Sequence, residues 1–426
     1  MIDRLAKTLL MRGLQGLRGG SLEIIDGERT HWFGEYSHAL RATIVVHHQR
    51  FFRRVLLQGE IGAGDSYMDG DWSSPDLVAL VQLAVRNIDR IESSHWPMSA
   101  LGRWKNFRFH LGRKNTVRGS KANIAHHYDL GNEFYRLFLD RNLIYSCGVF
   151  RDPEDTLEAA QNHKLSLICE RLGLAPGDHV LEIGTGWGGF ALYASQMYGC
   201  RVTTTTISEE QYRYAKSRFA RAGKAGERIT LLRQDYRKLA GQYDKIASIE
   251  MFEAVGLAHY DDFFAACDRL LVPGGAMCLQ TITMNDRRFH DYVRNCDWIQ
   301  KRIFPGAELA SVPEILFSLA RSTKMRLAEL EEIGLHYAET LKEWRLRFLG
   351  QLDRVKHLGF DDQFARMWEY YLAYCEGAFR EQYIGDVQLL LRKSGTAKGT
   401  STTRPLETYA PIPGTIESHP RFSDSQ

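Results

Sequence analysis

A run of glycines follows a short apolar segment at residues 180–189, which read VLEIGTGWGG. The apolar residues predict a strand, and the helical spacing up to Ala194 predicts a helix after a tight turn. Gly184, Gly186 and Gly188 lack the Cβ that would block a left-handed turn or the close approach of a ligand to the backbone. The helix offers the amide groups of its first turn to that ligand. This spacing predicts a site for a nucleotide-like ligand.

Two other interpretations of the turn are open on spacing alone. A glycine turn often serves only as the corner between a strand and a helix. Gly184, Gly186 and Gly189 also fit the GxGxxG spacing of a dinucleotide site, but that site expects an acid about twenty residues further on to bind the ribose. Threonines occupy that place, at 203–206, and an acid occurs instead at Glu182, inside the predicted strand. This arrangement resembles motif I of the class I methyltransferases, which bind S-adenosylmethionine.

The composition limits the class of protein. A chain of 426 residues with 44% hydrophobic residues can bury a large core in one or two domains. Its 55 Lys and Arg against 52 Asp and Glu give a net charge of only +3, so an anionic partner would have to bind a local patch. The seven cysteines form no CxxC pair, which favours a reducing cytoplasm over a disulfide scaffold. The sequence has neither an apolar run of about eighteen residues nor a signal peptide, so we expect a soluble, cytoplasmic protein.

Residues 1–100 are predicted to form a small α+β domain, which would handle lipid or form the contact of a homodimer. Apolar residues in 2–17 recur at helical spacing with lysine and arginine elsewhere, so this helix would lie either on anionic lipid or on its own domain. Alternation in the segments SLEIIDG, ATIVVHH and RRVLL predicts antiparallel strands. A helix is predicted over 68–87, with Ser73 and Ser74 as its N-cap.

Residues 101–122 form a basic linker in this interpretation. Seven lysines and arginines lie between Arg103 and Lys121 without one acid, and three aromatic residues are interleaved. Such a segment suits a phospholipid surface, a single-stranded nucleic acid or simply a solvated linker. Nucleic acid is not expected as a partner, because the segment is short and no target-base motif such as NPPY is present. Residues 394–426 are rich in Thr, Ser, Gly and Pro, which predicts a disordered tail.

The middle of the chain alternates predicted strands with predicted helices, which indicates an α/β fold with a doubly wound sheet. After the strand at the glycine turn, strands are predicted at 201–207, 229–232, 245–249 and 277–283. Ligands bind beyond the carboxyl ends of such strands. Asp235 and Tyr236 lie at one of those ends, where a carboxylate can accept a hydrogen bond from an adenine amine and a ring can flank the base. A turn acid that faces solvent is the alternative for Asp235.

Several motifs occur in the order found in one enzyme family: HYDLGN, YSC, EIGTGWGG, TISEEQ, QDY and MFEAVG. In these motifs, and over residues 124–393, the sequence resembles the cyclopropane-fatty-acid synthase family, which includes the mycolic acid cyclopropane synthases. The resemblance implies a Rossmann-like class I methyltransferase domain over 123–393, with helical insertions that form an acyl site. It assigns S-adenosylmethionine to nine residues: Tyr145, Ser146, Gly184, Gly186, Thr206, Ile207, Gln211, Asp235 and Tyr236.

The resemblance also implies a reaction. The activated methyl group moves to a cis double bond of an acyl chain in a phospholipid, and loss of a proton from the delivered methyl closes a cyclopropane ring. The carbocation formed on the way requires a nearby anion and a base. Relatives use a bound bicarbonate ion, and the matching positions here are Cys147, Glu253, Gln280, Ile282 and Tyr337. Gln280 stands where many relatives have histidine, and its amide can bind an anion but cannot carry a proton.

Two more positions depart from the family pattern. Ala254 replaces another common histidine, and Glu250 stands where several relatives have glycine, so it would either add a second carboxylate or face solvent. Failure of ring closure would give a methylene or methyl-branched chain. Methyl transfer to a soluble acceptor, as in plant alkaloid N-methyltransferases, and lipid binding without catalysis are the other functions considered. Leu279, Phe304 and Phe317 are predicted to line the acyl channel, and the lipid substrate implies peripheral contact with the inner face of a membrane.

Overall fold

A seven-stranded sheet organises the larger part of the polypeptide, as seen in a computed structural model that describes residues 2–93 and 130–395. Its strands β5 to β11 span, in chain order, His179–Ile183, Arg201–Thr205, Ile229–Leu232, Tyr243–Ile249, Leu271–Met284, Met325–Glu332 and Ile384–Lys393. Their order across the sheet is β10-β11-β9-β8-β5-β6-β7. Among these described strands, β11 alone runs antiparallel to its neighbours. The order confirms the predicted doubly wound α/β sheet.

The sheet is buried on both faces by helices. In the described part of the chain, helices α1 to α16 span Ile2–Leu14, Arg50–Met68, Leu77–Arg86, Ile88–Ser93, Asn132–Tyr135, Leu157–Leu172, Gly189–Tyr198, Glu209–Ala220, Lys224–Glu227, Tyr260–Leu270, Phe289–Tyr292, Trp298–Arg302, Val312–Ser322, Gly334–Leu349, Leu352–His357 and Asp362–Arg380. Successive side chains of β5 point to opposite faces: Val180 packs in one cluster with Phe190, and Leu181 packs in another with Phe263. This central parallel strand therefore has apolar residues facing both sides of the sheet.

Capping side chains fix where the helices of this sheet begin. Thr156 precedes α6 and accepts a hydrogen bond from the Ala159 amide, and Ser208 does the same for α8 with the Gln211 amide. Each cap satisfies an amide that has no partner inside its helix. The α8 cap lies beside three of the predicted ligand residues, because Thr206 and Ile207 precede it and Gln211 belongs to the first turn of α8.

A second, four-stranded sheet lies near the amino terminus. Its strands β1 to β4 span Ser21–Asp26, Arg29–Gly34, Arg41–Val46 and Trp72–Ser73, in the order β2-β1-β3-β4. The prediction of antiparallel strands was partly wrong, because β1 and β3 pair in parallel. The segment RRVLL is not a strand but part of α2, since an alternation of five residues is too short to distinguish the two periods.

The helix predicted over 68–87 is also shorter than expected. It begins at Leu77, because the carboxylate of Asp76 accepts a hydrogen bond from the Ala79 amide and so caps α3, while Ser73 belongs to β4. The predicted amphipathic amino-terminal helix is present as α1. Ala6 and Leu10 bury one side of α1 against the domain.

Helices α14 to α16 form an insertion between β10 and β11 and join the two parts of the chain. The Tyr67 hydroxyl of α2 donates to Glu369 of α16 at 2.8 Å, and the Tyr67 and Tyr370 rings lie 5.5 Å apart. The two tyrosines belong to a hydrophobic cluster that continues from the small sheet to Trp344 and Trp368. These contacts with α2 of the amino-terminal region fix the position of the insertion.

Some of the predictions lie outside the described residues. They are the basic segment 101–122, residues 127–129 of the HYDLGN motif, and nearly all of the predicted tail, 396–426. Within the parts of the chain that the structure describes, no helix combines the length and the apolar character that a membrane span requires.

Candidate active site

The glycine turn connects β5 to α7 through left-handed backbone conformations. The φ angles are 107° at Gly184, 52° at Gly186 and 82° at Gly188, a region in which a Cβ is costly. The amides of Gly184 and Thr185 both donate to the Thr205 carbonyl of the next strand. A Cβ added to Gly186 would meet no atom within 4 Å, because this glycine faces an open cavity. The turn therefore leaves room for a ligand at the first turn of α7.

A cavity of about 360 Å³ lies at the carboxyl edge of the sheet. All nine residues that the resemblance assigns to S-adenosylmethionine line it: Tyr145, Ser146, Gly184, Gly186, Thr206, Ile207, Gln211, Asp235 and Tyr236. They follow β5, β6 and β7 or belong to the segment before α6. The carboxyl ends of parallel strands meet at one edge of a sheet, which brings these residues together. The residues present fit a nucleoside-like sulfonium donor.

Asp235 is held as an ionised acceptor at the end of β7. Burial would raise its pKa, but hydrogen bonds from the Arg237 side chain at 2.6 and 2.8 Å outweigh that effect and lower the pKa of Asp235. Its side chain also accepts from the Arg237 amide and so caps the short 3₁₀ turn Tyr236–Lys238. Tyr236 packs edge-on against Phe263 with ring centroids 5.3 Å apart. Both side chains are thus fixed before any ligand binds.

Glu182 lies beneath the glycine turn in a hydrogen-bonded chain. Thr204 donates to Glu182 at 2.5 Å, and the Thr204 and Thr185 hydroxyls are 2.7 Å apart. Burial raises the pKa of Glu182 to about 8, against the opposing effects of Thr204 and the charge of Lys164. Lys164 is itself buried and donates to Ser146 at 2.6 Å. The acid noted in the sequence is therefore an internal support of the turn that also reaches the cavity wall.

Glu250 is the centre of a hydrogen-bond network at the same cavity. Its Oε1 accepts from the Cys147 amide at 2.7 Å and from the Gln280 side-chain amide at 2.8 Å. Its Oε2 accepts from the Tyr337 hydroxyl at 2.6 Å. Gln280 is completely buried, and it also donates to Asp386 and accepts from Gln388. Glu250 does not face solvent but lines the cavity.

Glu253 contributes a second carboxylate to the cavity wall. Its Oε1 accepts from the Ile282 amide at 2.6 Å and from the Thr281 hydroxyl at 2.8 Å. Its Oε2 is buried without a hydrogen-bond partner among the described residues. Burial, followed by the charge of Glu250, raises the pKa of Glu253 to about 7. One oxygen of this carboxylate is therefore available to whatever occupies the cavity.

The predicted anion-binding residues are brought together, but only some of them line the cavity. Glu253, Ile282 and Tyr337 line the cavity, whereas Cys147 and Gln280 lie behind Glu250 and donate hydrogen bonds to it. The Cys147 thiol donates to the Gly148 carbonyl, and burial raises its pKa well above the usual range. Cys147 thus supplies its backbone amide and no thiolate.

These donors do not fit the bicarbonate ion that the family resemblance implies. The amides of Cys147 and Gln280 and the hydroxyl of Tyr337 already donate to Glu250, and the Ile282 amide donates to Glu253. An added anion would have to displace a carboxylate of the chain and would be repelled by its charge. The donors present are therefore already used by carboxylates of the chain, and no step of the reaction is derived through a bicarbonate ion.

The remainder of the cavity is apolar and aromatic. Its wall includes Tyr292, Ile299, Phe304, Leu309, Tyr371 and Phe379, which come from the segment after β9 and from the helical insertion. Of the three predicted channel residues, only Phe304 lies on this wall. Leu279 is buried in the sheet core, and Phe317 is 62% exposed on α13. Residue type alone could not tell which face of its element each of them occupies.

Sequence reasoning missed several residues of this site. It left Glu250 undecided, and it did not single out Lys164, Asp386 or Tyr371, whose hydroxyl is 2.9 Å from that of Tyr145. A signal existed for Glu250, because it directly follows β8 at the carboxyl edge of the sheet. The others lie on helices and on β11, whose place beside the site is set by distant packing.

The fold and the cavity are those of a class I S-adenosylmethionine-dependent methyltransferase. The solved structure of mycolic acid cyclopropane synthase CmaA1 complexed with SAH and CTAB is similar, with a TM-score of 0.59 and 30% identity over 64% of this chain and 98% of that chain. Coclaurine N-methyltransferase bound to N-methylheliamine and SAH shares the fold, with a TM-score of 0.59 and 21% identity over 78% of this chain and 98% of that chain.

The chain belongs to the mycolic acid cyclopropane synthetase family, whose profile matches residues 115–389. It is 40% identical over 356 residues to tuberculostearic acid methyltransferase UfaA1 of Mycobacterium tuberculosis, which covers 80% of this chain and 81% of that protein. It is 38% identical over 351 residues to the cyclopropane-fatty-acyl-phospholipid synthase of Escherichia coli K12, which covers 82% of this chain and 86% of that protein.

Proposed function

We propose that this protein transfers the methyl carbon of S-adenosylmethionine to a cis double bond of an unsaturated phospholipid acyl chain and closes a cyclopropane ring. The observation that carries the proposal is a single cavity in which three groups of residues meet. The first group is the nine donor-site residues, which include two glycines of the turn. The others are an aromatic and apolar wall and two partly buried carboxylates, Glu250 and Glu253. An alkene has no polar group to recognise, so an apolar channel beside a methyl donor suits it.

The bound donor supplies an electrophilic methyl group on a positively charged sulfur. The chain positions that group: Gly184 and Gly186 allow close approach to the backbone, and the ionised Asp235 accepts a hydrogen bond. As the alkene π electrons form a carbon–carbon bond to the methyl, the sulfur keeps the pair of the broken bond, and the other alkene carbon becomes a cation. Loss of a proton from the delivered methyl lets its C–H electrons close the ring.

Water must be excluded while the cation exists, since water would trap it as an alcohol. The rings of Phe304 and Tyr371 lie 5.8 Å apart, and Tyr337 stacks on Phe379 at 4.5 Å, so the wall is closely packed. A negative charge beside the cation lowers the barrier, and this effect is strong in a site of low dielectric. Carboxylates are the groups of this wall that supply it.

We also propose that the protein works in the cytoplasm and binds the inner face of the membrane peripherally. The support is α1, on which Ile2, Leu5 and Leu9 are 66%, 62% and 41% exposed, although each is apolar. Arg4 and Arg12 are exposed on the same helix. Exposed apolar residues with adjacent cations are the composition of a helix that lies on anionic lipid.

The test uses the purified protein, S-adenosylmethionine and vesicles of phosphatidylethanolamine with one cis-unsaturated chain. We expect a lipid that has gained one CH₂ and shows the upfield NMR protons of a cyclopropane. Vesicles with saturated chains are the control and should stay unmodified. A methylene or methyl-branched product would overturn ring closure, and unmodified unsaturated lipid would overturn the lipid assignment in favour of a soluble acceptor. Absence of S-adenosylmethionine binding in calorimetry would instead favour a catalytically silent lipid-binding protein.

A further inference from the structure

The carboxylate of Glu250 is fixed from three sides by donors that are far apart in the chain. The Cys147 amide precedes α6, the Gln280 side chain belongs to β9, and the Tyr337 hydroxyl belongs to α14. The Glu250 amide donates to the Gln280 carbonyl at 2.8 Å, which fixes its backbone as well. A side chain with this many donors has little freedom, and it lies on the cavity wall next to Glu253.

The backbone at Glu250 is strained in a way that a glycine would relieve. Its φ is 47°, in the left-handed region, which is unfavourable for a residue with a Cβ. Strain of this kind persists when the surrounding structure determines the conformation, and it concentrates at functional sites. The side chain of Glu250 is therefore kept at this place despite the backbone, which indicates a use for its carboxylate.

The donors also define which oxygen can receive a proton. The Cys147 backbone N–H and the Gln280 side-chain NH₂ can only donate, so Oε1 stays an acceptor. Oε2 faces the Tyr337 hydroxyl, which can both donate and accept, so a proton on Oε2 does not break that contact. Burial, and then the charge of Glu250, raise the pKa of the nearby Asp386 well above its usual range.

We propose that Glu250 is the anion and the base of the ring-closing step, in the place where relatives use a bicarbonate ion. This inference rests on the proposed function. The carboxylate faces the cation formed on the acyl chain, and Oε2 takes the proton from the delivered methyl while that C–H pair becomes the third ring bond. Glu250 then returns the proton to solvent, so one proton is released for each methyl transferred. The chain carries its own base and needs no added anion.

The decisive variants are Glu250→Gly and Glu250→Gln. Glycine removes the carboxylate, relieves the φ strain and leaves the three donors around an empty space. Glutamine keeps the volume, and its carbonyl oxygen still accepts from Cys147 and Gln280, but it carries no charge. We expect both variants to bind S-adenosylmethionine as the wild type does, because none of the nine donor-site residues changes. We expect both to lose about 100-fold or more of the ring-forming rate in buffer freed of carbon dioxide.

Added bicarbonate separates the possibilities. It should leave the wild-type rate unchanged, restore turnover of Glu250→Gly in a saturable manner, and leave Glu250→Gln inactive, because the amide fills the anion's place. A wild-type rate that depends on bicarbonate would overturn the inference, as would a Glu250→Gly variant that keeps full activity without it. A Glu250→Gly protein that does not fold would leave the decision to Glu250→Gln, whose undiminished activity would also overturn the inference.

A second readout does not depend on lipid turnover. Binding of isotope-labelled bicarbonate can be measured by the broadening of its NMR line. The ion should bind Glu250→Gly and should bind neither the wild type nor Glu250→Gln. Saturable binding to the wild type that is lost in Tyr337→Phe would show that the site accepts the ion and would overturn the inference. If the wild type modifies no lipid under any condition, the proposed function fails, while the binding experiment still decides whether Glu250 fills the anion site.

Discussion

The Tyr337 hydroxyl donates a 2.6 Å hydrogen bond to Glu250 Oε2, across 87 positions of the chain. This bond links α14 of the helical insertion to the end of β8. The Tyr337 ring stacks on Phe379 of α16 at 4.5 Å, so packing within the insertion sets the direction of the hydroxyl. The position of the Glu250 carboxylate at the sheet edge therefore depends on α14 and α16, which belong to the insertion between β10 and β11.

Tyr337→Phe tests this relationship, because it keeps the ring and its stacking and removes only the hydroxyl. A buried hydrogen bond to a charged group is worth about 1.5–3 kcal/mol, so we expect kcat to fall roughly tenfold to 100-fold. Calorimetry should give an unchanged Kd for S-adenosylmethionine. An unchanged kcat would show that the hydroxyl does not hold the reacting carboxylate.

Gly186→Ala should weaken S-adenosylmethionine binding by about tenfold or more, which corresponds to roughly 1.4 kcal/mol. The added Cβ would meet no protein atom within 4 Å but would stand in the cavity that we propose for the donor. Gly173→Ala is a matched control, since Gly173 has a φ of 61° and equally open surroundings but caps α6. Both variants should lose similar stability in thermal unfolding, and equal affinities in calorimetry would place the donor elsewhere.

Glu253→Gln should change how stability depends on pH. The pKa of Glu253 is raised from 4.5 to about 7, so the folded protein keeps a proton that the unfolded chain loses. This group therefore lowers the free energy of unfolding as pH rises from about 4.5 through 7, by at most about 3 kcal/mol. The variant should be more stable than the wild type at pH 8, with a smaller difference at pH 5.

Urea unfolding of both proteins at the two pH values measures this effect. Glu133→Gln, at an exposed position on α5, is the control and should shift the urea midpoint little at either pH. A stability difference between Glu253→Gln and the wild type that is the same at both pH values would show that Glu253 does not titrate in this range.

Leu5→Glu should weaken binding to anionic vesicles by roughly tenfold or more, since burying one leucine contributes about 1.5–3 kcal/mol. Leu5 is 62% exposed on α1, so the change should not disturb the fold. Met197→Glu introduces the same charge at a methionine that is 66% exposed on α7. Vesicle cosedimentation compares the two variants, and an equal loss in both would contradict a specific role for α1.

The sequence predicted those parts of the fold that depend on residues close to one another in the chain. The glycine turn requires left-handed φ angles at Gly184, Gly186 and Gly188, and the strands at 229–232 and 245–249 are short apolar runs beside helices. The helix predicted over 68–87 failed because one residue, Asp76, supplied a better cap than the serines before it. Strands β10 and β11 escaped prediction because their pairing partners are distant in the chain.

The residue pattern alone predicted the edge of the sheet at which we propose that the methyl donor binds. Its glycines require a specific backbone, and parallel strands bring their carboxyl ends together, so Asp235 and Gly186 had to lie at one edge. The place of the Glu250 carboxylate on the cavity wall, by contrast, follows from tertiary packing. The donors that hold Glu250 come from residues 103, 30 and 87 positions away, and the packing of three separate elements makes them converge.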